Sequence, residues 1–214
     1  MHKKVAIGCL GILGELILHY LAYRKDVEIV GVDSITDRKG HINCKATAEK
    51  LNLPIKSYAE IVELKPDIFI SISYLRKLGP ELLNNCLCVN LHVAKLPEYR
   101  GRNCYANAIL NGDDTYTATL LLMNEGLDEG DIIAEVIEPI YFNDTARTLY
   151  DRMQLSSLKM FIDEFDGLLK KTFTTRKQIG KVGLYQKNFD KKVDITEDSV
   201  DLYRKVRAYE FPPY

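Results

Sequence analysis

The chain has 214 residues, a length that suits one large domain or one domain with a short appendage. Its 46% hydrophobic content is ordinary for a globular protein, and a formal net charge of -1 gives no bulk electrostatic case for nucleic acid or an anionic membrane. No apolar run approaches the roughly 20 residues of a membrane helix. The start is interrupted by glycines and reads as a strand rather than a signal peptide, so a cytoplasmic location is the expectation. Five cysteines without a CxxC spacing argue for reduced thiols and against a disulfide framework or a structural zinc.

Periodicity predicts a strand over 5–9, a helix over 11–22 with apolar positions at Leu13, Leu16, Ile17 and Tyr20, and a strand over 27–32 that ends at Asp33. A polar loop over 34–43 follows, then a short helix over 46–51, an extended stretch at 54–56 and a helix over 58–64. Residues 68–72 and 87–91 read as buried strands with a helical turn at 80–84 between them. Strands alternating with helices at this pitch predict a Rossmann-like α/β fold, a mostly parallel sheet with helices on both faces.

Beyond residue 100 the pattern changes. A helix over 104–110 ends in the turn cluster 111–114. Strand-like runs over 117–123 and 132–140 flank a Gly-rich turn and are expected to pair antiparallel. A long helix over 145–169 carries the start signal Asn143-Asp144-Thr145. The expected division is a principal domain over 1–170 and a short C-terminal segment over 171–214, with a short strand at 182–185 and a helix at 198–208.

The run Asn90-Leu91-His92-Val93-Ala94-Lys95-Leu96-Pro97-Glu98-Tyr99-Arg100-Gly101 carries the most chemistry. Two residues apart on an extended chain, Asn90 and His92 point the same way. An amide and a titratable base aimed into one cleft can stabilise an oxyanion and move a proton. Gly126-Leu127-Asp128-Glu129-Gly130-Asp131 adds a carboxylate in a turn. A second glycine-rich stretch, Gly8-Cys9-Leu10-Gly11-Ile12-Leu13-Gly14, follows the first strand, and Asp33 ends the second. This approaches a dinucleotide-binding arrangement, but the spacing is GxxGxxG, and a tight strand-to-helix turn explains it as well. A metal site is not expected, because one His and one Asp do not make a zinc set.

Taken together, Asn90-x-His92, Leu96-Pro97-x-Tyr99-Arg100-Gly101, Ile109-Leu110-Asn111-Gly112 and Glu125-Gly126-Leu127-Asp128-x-Gly130-Asp131-Ile132 resemble the folate-dependent formyltransferases over roughly 5–142. That family includes methionyl-tRNA, glycinamide ribonucleotide and nucleotide-sugar N-formyltransferases. The sugar branch fits best, on Ser73-Tyr74-Leu75-Arg76-Lys77-Leu78, Arg100-Gly101-Arg102-Asn103 and Arg207-Ala208-Tyr209-Glu210-Phe211-Pro212-Pro213-Tyr214. The methionyl-tRNA enzymes carry a C-terminal tRNA-binding domain for which 214 residues leave no room. The bacterial enzymes that formylate dTDP-4-amino-4,6-dideoxyglucose for O-antigen and other surface polysaccharide, such as lipopolysaccharide, are the nearest match. A GDP- or UDP-linked amino sugar and glycinamide ribonucleotide are the alternative acceptors. A non-catalytic NAD- or nucleotide-binding protein, built on Gly8–Gly14 and Asp33, is the rival of another class.

The resemblance makes 1–170 the formyltransferase catalytic domain and implies N10-formyltetrahydrofolate as co-substrate, with a nucleotide-sugar amine as nucleophile. Asn90 and protonated His92 would bind the oxyanion, and Asp128 beside His92 would help carry the amine proton. The pterin would lie between the loop after residue 72 and the strand and turn at 123–128, with Tyr74, Leu75, Leu78 and Leu127 as cofactor-binding candidates. Arg76 and Lys77 are candidates for the pyrophosphate or the folate tail. Arg102 and Asn103 are further substrate-binding candidates, and Tyr185 and Tyr214 are candidates for stacking on the base. Neither nucleic acid nor a membrane is an expected partner; a homodimer is, because sugar enzymes of this type are often dimers.

Overall fold

The computed structural model describes residues 2–34, 43–185 and 192–211. Strand β1 (Lys3–Cys9) leads into helix α1 (Gly11–Ala22) and strand β2 (Val27–Asp33). Helices α2 (Cys44–Lys50) and α3 (Tyr58–Leu64) follow, then β3 (Ile68–Ile72), α4 (Pro80–Leu83) and β4 (Leu87–His92). The remainder holds β5 (Arg100–Gly101), α5 (Cys104–Asn111), β6 (Thr115–Leu122), β7 (Ile132–Pro139), α6 (Ala146–Lys170), β8 (Leu184–Tyr185) and α7 (Ser199–Tyr209).

Six strands form one sheet in the order β2-β1-β3-β4-β6-β7, and β5 pairs with β8 in a small second one. β2, β1, β3 and β4 are mutually parallel, whereas β6 runs antiparallel to both of its neighbours. The sheet is therefore the expected mostly parallel one, with the expected antiparallel pair at one side.

Alternation along the strands splits the core in two. Val5, Ile7 and Cys9 of β1, Ile68, Ile70 and Ile72 of β3, and Val89 and Leu91 of β4 join Leu13, Ile17 and Leu21 of α1. Helix α6 adds Leu149, Met153, Phe161, Phe165 and Leu168, whose spacings of four, eight, four and three residues keep them on one helix face. Ala6, Phe69 and Cys88 are out of phase with the first set and face the other way, toward Ile61 of α3 and Leu82 of α4. Helices thus cover both faces, and strands buried on both sides read as the continuous apolar runs seen in the sequence.

Helix α2 begins earlier than expected because the Asn43 side chain accepts the Lys45 N–H and caps it. Most of the polar loop expected over 34–43 lies outside the described residues. The expected division at residue 170 coincides with the end of α6, but the chain beyond it does not stand apart. Arg176 and Ile132 exchange two backbone hydrogen bonds of 2.8 and 2.9 Å. β8 then pairs in parallel with β5, and α7 buries Ala208 against the first core. Residues 176–185 run back across the loop that leaves β4. The strand expected at 182–185 shortens to β8, and its two-residue partner β5 is too brief to show any period. Among the described residues, no helix is long and apolar enough to cross a membrane.

Candidate active site

On β4, Val89 and Leu91 are committed to the first core, so Asn90 and His92 project from the opposite face with Cys88. The turn between β6 and β7 folds over that face. Asn90 Nδ2 donates to Asp128 Oδ1 at 3.1 Å. The Gly101 N–H donates to Asp128 Oδ2 at 3.1 Å, and His92 Nδ1 lies 3.7 Å from the same oxygen. The side chains of His92 and Asp128 are only 11% and 9% exposed. Asn90, Met123, Asn124, Gly126, Asp128 and Gly130 line a small cleft at this point.

The local backbone explains the turn. Asp128 has φ +52°, a left-handed conformation that Asp and Asn tolerate better than other side chains. A Cβ at Gly130 would lie 1.7 Å from the Leu122 carbonyl oxygen, so only glycine lets the turn close on β6.

His92 is anchored from behind. Its Nε2 sits 2.8 Å from the Tyr99 carbonyl, and a carbonyl only accepts, so we assign the proton to Nε2. Nδ1 alone is then turned toward Asp128. Tyr99 is itself fixed: its hydroxyl donates to Asp113, and Asn111 Nδ2 donates to that hydroxyl at 2.8 Å. Burial, with Asp113 nearby, pushes the Tyr99 phenol up, so it stays a neutral donor. This ties the Leu-Pro-x-Tyr-Arg-Gly stretch to the end of α5. Tyr99 was legible only as part of that stretch, with no role of its own.

Cys104 also lies close by, with its thiol 3.3 Å from the Tyr99 carbonyl. Burial, with the Asp128 charge adding, pushes that thiol up to about 12, which leaves it protonated and poorly nucleophilic.

The structure brings Asn90, His92 and Asp128 together as expected. The other candidates divide. Leu75 and Leu127 are 39% and 49% exposed, as apolar walls of a binding surface would be. Leu78 is 4% exposed and packs with Phe69, Leu82 and Cys88 in the second core. Tyr74 is likewise committed elsewhere: its hydroxyl donates to Asp33, and its ring lies against Gly8. A Cβ at Gly8 would lie 2.7 Å from that ring. The first glycine is therefore needed for Tyr74, and the ring covers the backbone a pyrophosphate would approach.

Arg76 lies 3.9 Å from Asp33, with its guanidinium 5.4 Å from the Tyr58 ring centroid. Lys77, Arg102 and Asn103 are exposed, the last two immediately before α5. Tyr185 stacks on Tyr99 at 5.4 Å and 15°, so one face of its ring is occupied by protein. Tyr214 lies outside the described residues. Gln178, which carried no signal in a polar stretch, donates to the carbonyls of Asp128 and Gly130.

The formyl transferase family profile matches residues 34–164, more than half of the sequence. This chain belongs to the formyl transferase family. It is 30% identical over 178 residues to the methionyl-tRNA formyltransferase of Geobacillus sp. (strain WCH70), an alignment covering 77% of this chain and 56% of that protein. The chain thus spans about half the length of the curated relatives it matches. Among solved structures, the N-formyltransferase of Helicobacter canadensis, in complex with folinic acid and dTDP-3-aminofucose, superposes with a TM-score of 0.85 at 23% identity, covering 99% of this chain and 81% of that one. A 4-N formyltransferase from Francisella tularensis gives 0.80 at 20% identity, covering 99% and 90%. The fold is the formyltransferase fold.

Proposed function

We propose that this protein transfers a formyl group from N10-formyltetrahydrofolate to the amine of a nucleotide-linked amino sugar. The observation that carries the reading is the clustering of Asn90 and His92 about Asp128, beside one cleft, in a chain of the formyl transferase family. The residues present fit a folate: the cleft offers the backbone of the 123–130 turn, and Leu75 and Leu127 supply exposed apolar surface. When bound, the folate supplies an activated formyl carbon.

The side chains supply the rest. One N–H of the Asn90 amide is held by Asp128, which leaves the second to donate to the formyl oxygen as charge grows there. Asp128 takes the proton that the attacking amine sheds. His92, with Nε2 fixed on the Tyr99 carbonyl, presents Nδ1 for holding or returning a proton. No protein nucleophile is required, because the acceptor amine attacks.

For the acceptor, the reading is dTDP-4-amino-4,6-dideoxyglucose, destined for O-antigen or other surface polysaccharide. Fold similarity over 99% of the chain to a formyltransferase solved with dTDP-3-aminofucose and to a 4-N formyltransferase supports it. Arg76, Lys77, Arg102 and Asn103 are the proposed pyrophosphate and sugar contacts, and Tyr185 and Tyr214 the proposed base contacts. The reading also includes a cytoplasmic location and a homodimer. A second reading, methionyl-tRNA as acceptor, is favoured by the 30% identity to the Geobacillus enzyme. The net charge of -1 weighs against a polyanionic acceptor.

The test offers N10-formyltetrahydrofolate with dTDP-4-amino-4,6-dideoxyglucose, GDP- and UDP-amino sugars, glycinamide ribonucleotide and methionyl-tRNA in parallel. Mass spectrometry should find one added formyl group on the dTDP sugar. Product on methionyl-tRNA alone selects the second reading, and product on none overturns formyl transfer.

A further inference from the structure

We propose that Gln178 is a positioning residue, whose side-chain amide locks the turn carrying Asp128 onto the loop carrying Arg100. The inference rests on the formyl-transfer reading above and adds to it a residue outside the segment matched by the family profile.

Gln178 uses both ends of its amide. Nε2 donates at 2.8 Å to the carbonyl of Asp128 and at 2.8 Å to that of Gly130. Oε1 accepts from Arg100 Nη2 at 2.8 Å and, more weakly, from Nε at 3.3 Å. All the donors and acceptors of a primary amide are thereby engaged. Arg100 continues to Glu129, 3.3 Å away, so the turn is held from two sides.

The target of this clamp is a backbone that needs one. Asp128 is a non-glycine residue at φ +52°, and its carboxylate is held separately by Asn90 and the Gly101 N–H. The carboxylate contacts fix where the oxygens end, whereas Gln178 fixes the peptide from which the side chain departs. Gln178 is itself braced on both sides along the chain. Arg176 pairs with Ile132, and Gly183 exchanges backbone hydrogen bonds with Pro97 and Arg100 at 3.1 and 3.0 Å. A small shift of Asp128 would misplace the group that takes the amine proton, and misplacement by about 1 Å can cost on the order of 10²-fold in rate.

Gln178→Glu is the sharpest variant. It keeps size and the Arg100 contact but removes both donors and sets a carboxylate against two carbonyls. Gln178→Ala removes the clamp without adding charge, so it serves if the charged variant does not fold. For the full chain, kcat should fall about 10- to 100-fold with KM for both substrates within about twofold. The Gly101 amide, which reports the Asp128 carboxylate directly, should exchange with solvent at least about tenfold faster. In an Asp128→Asn background, the loss of kcat on adding Gln178→Ala should largely vanish. Unchanged kcat, a loss carried by KM, an unaltered Gly101 amide, or full additivity with Asp128→Asn would each overturn the proposal. If the unaltered protein forms no formylated product, formyl transfer fails as a reading, and Gly101 exchange still decides whether Gln178 positions Asp128.

Discussion

Two glycine-rich stretches in this molecule are each associated with an acid, and the acids are held in opposite ways. Beside the first turn, Asp33 accepts the Tyr74 hydroxyl, has Arg76 at 3.9 Å, and sits next to a glycine whose open side is filled by the Tyr74 ring. In the second turn, Asp128 faces Asn90, His92 and the Gly101 N–H beside a cleft. The same ingredients make a packing device in one place and, on the proposed reading, a reactive cluster in the other. What separates them is whether a side chain of the protein already fills the space beside the acid.

The largest effect that would break this contrast lies in Asp128. Asp128→Asn keeps a residue that tolerates φ +52°, so the fold should persist while kcat falls about 10²–10³-fold. Asn90→Ala and His92→Ala should lose turnover on the same scale, with nucleotide-sugar binding by calorimetry nearly intact. Asp33→Asn should leave kcat within about twofold. A comparable loss at Asp33 would mean that the first turn also does chemistry.

Next in size is Gly8→Ala, whose Cβ would press on the Tyr74 ring at 2.7 Å. It should destabilise by about 1–3 kcal/mol in urea unfolding, with activity retained at low temperature. Full stability would show that Tyr74 is not seated there. Tyr99→Phe removes the hydroxyl shared by Asp113 and Asn111, and should cost about 1–2 kcal/mol together with a modest drop in kcat.

Ligand-induced stabilisation sharpens the contrast further. A formyl-folate analogue at about 100 times its Kd should raise stability by about 2.7 kcal/mol, whereas NAD should leave the melting temperature unchanged. A shift with NAD alone would revive the nucleotide-binding rival. Smallest of all, Cys104→Ala should keep turnover within about twofold, and Cys104 should label slowly with maleimide at about pH 8. Rapid labelling would contradict a thiol raised to about 12.

How much of this could be read beforehand follows from the range of each interaction. Asn90 and His92 were legible because period two is local: the buried run 87–91 dictates which residues share a face. Asp128 needed the resemblance, since nothing in its own turn says that it reaches β4. Leu78 and Tyr74 lie at packed positions that the sequence did not distinguish, because an apolar or aromatic residue after a strand looks the same whether it lines a ligand surface or fills a core. Gln178 gave no signal, because its partners lie 50 and 48 positions away and its neighbours are polar. The β5–β8 pair was lost for a related reason: two residues cannot show alternation.

The backbone pairing of residues 176–185 with the loop after β4 has a consequence in time. The sheet can be completed by residues up to 139, and its longest helix by residue 170. Asn90, Gly101 and Arg100 hold Asp128 and its turn from chain made earlier, but the Gln178 contacts and the β8 pairing come from chain made afterwards. During synthesis the sheet and its core can therefore form before those later contacts are made. The last contacts that steady the Asp128 turn thus arrive late, from chain far along the sequence from the residues they touch.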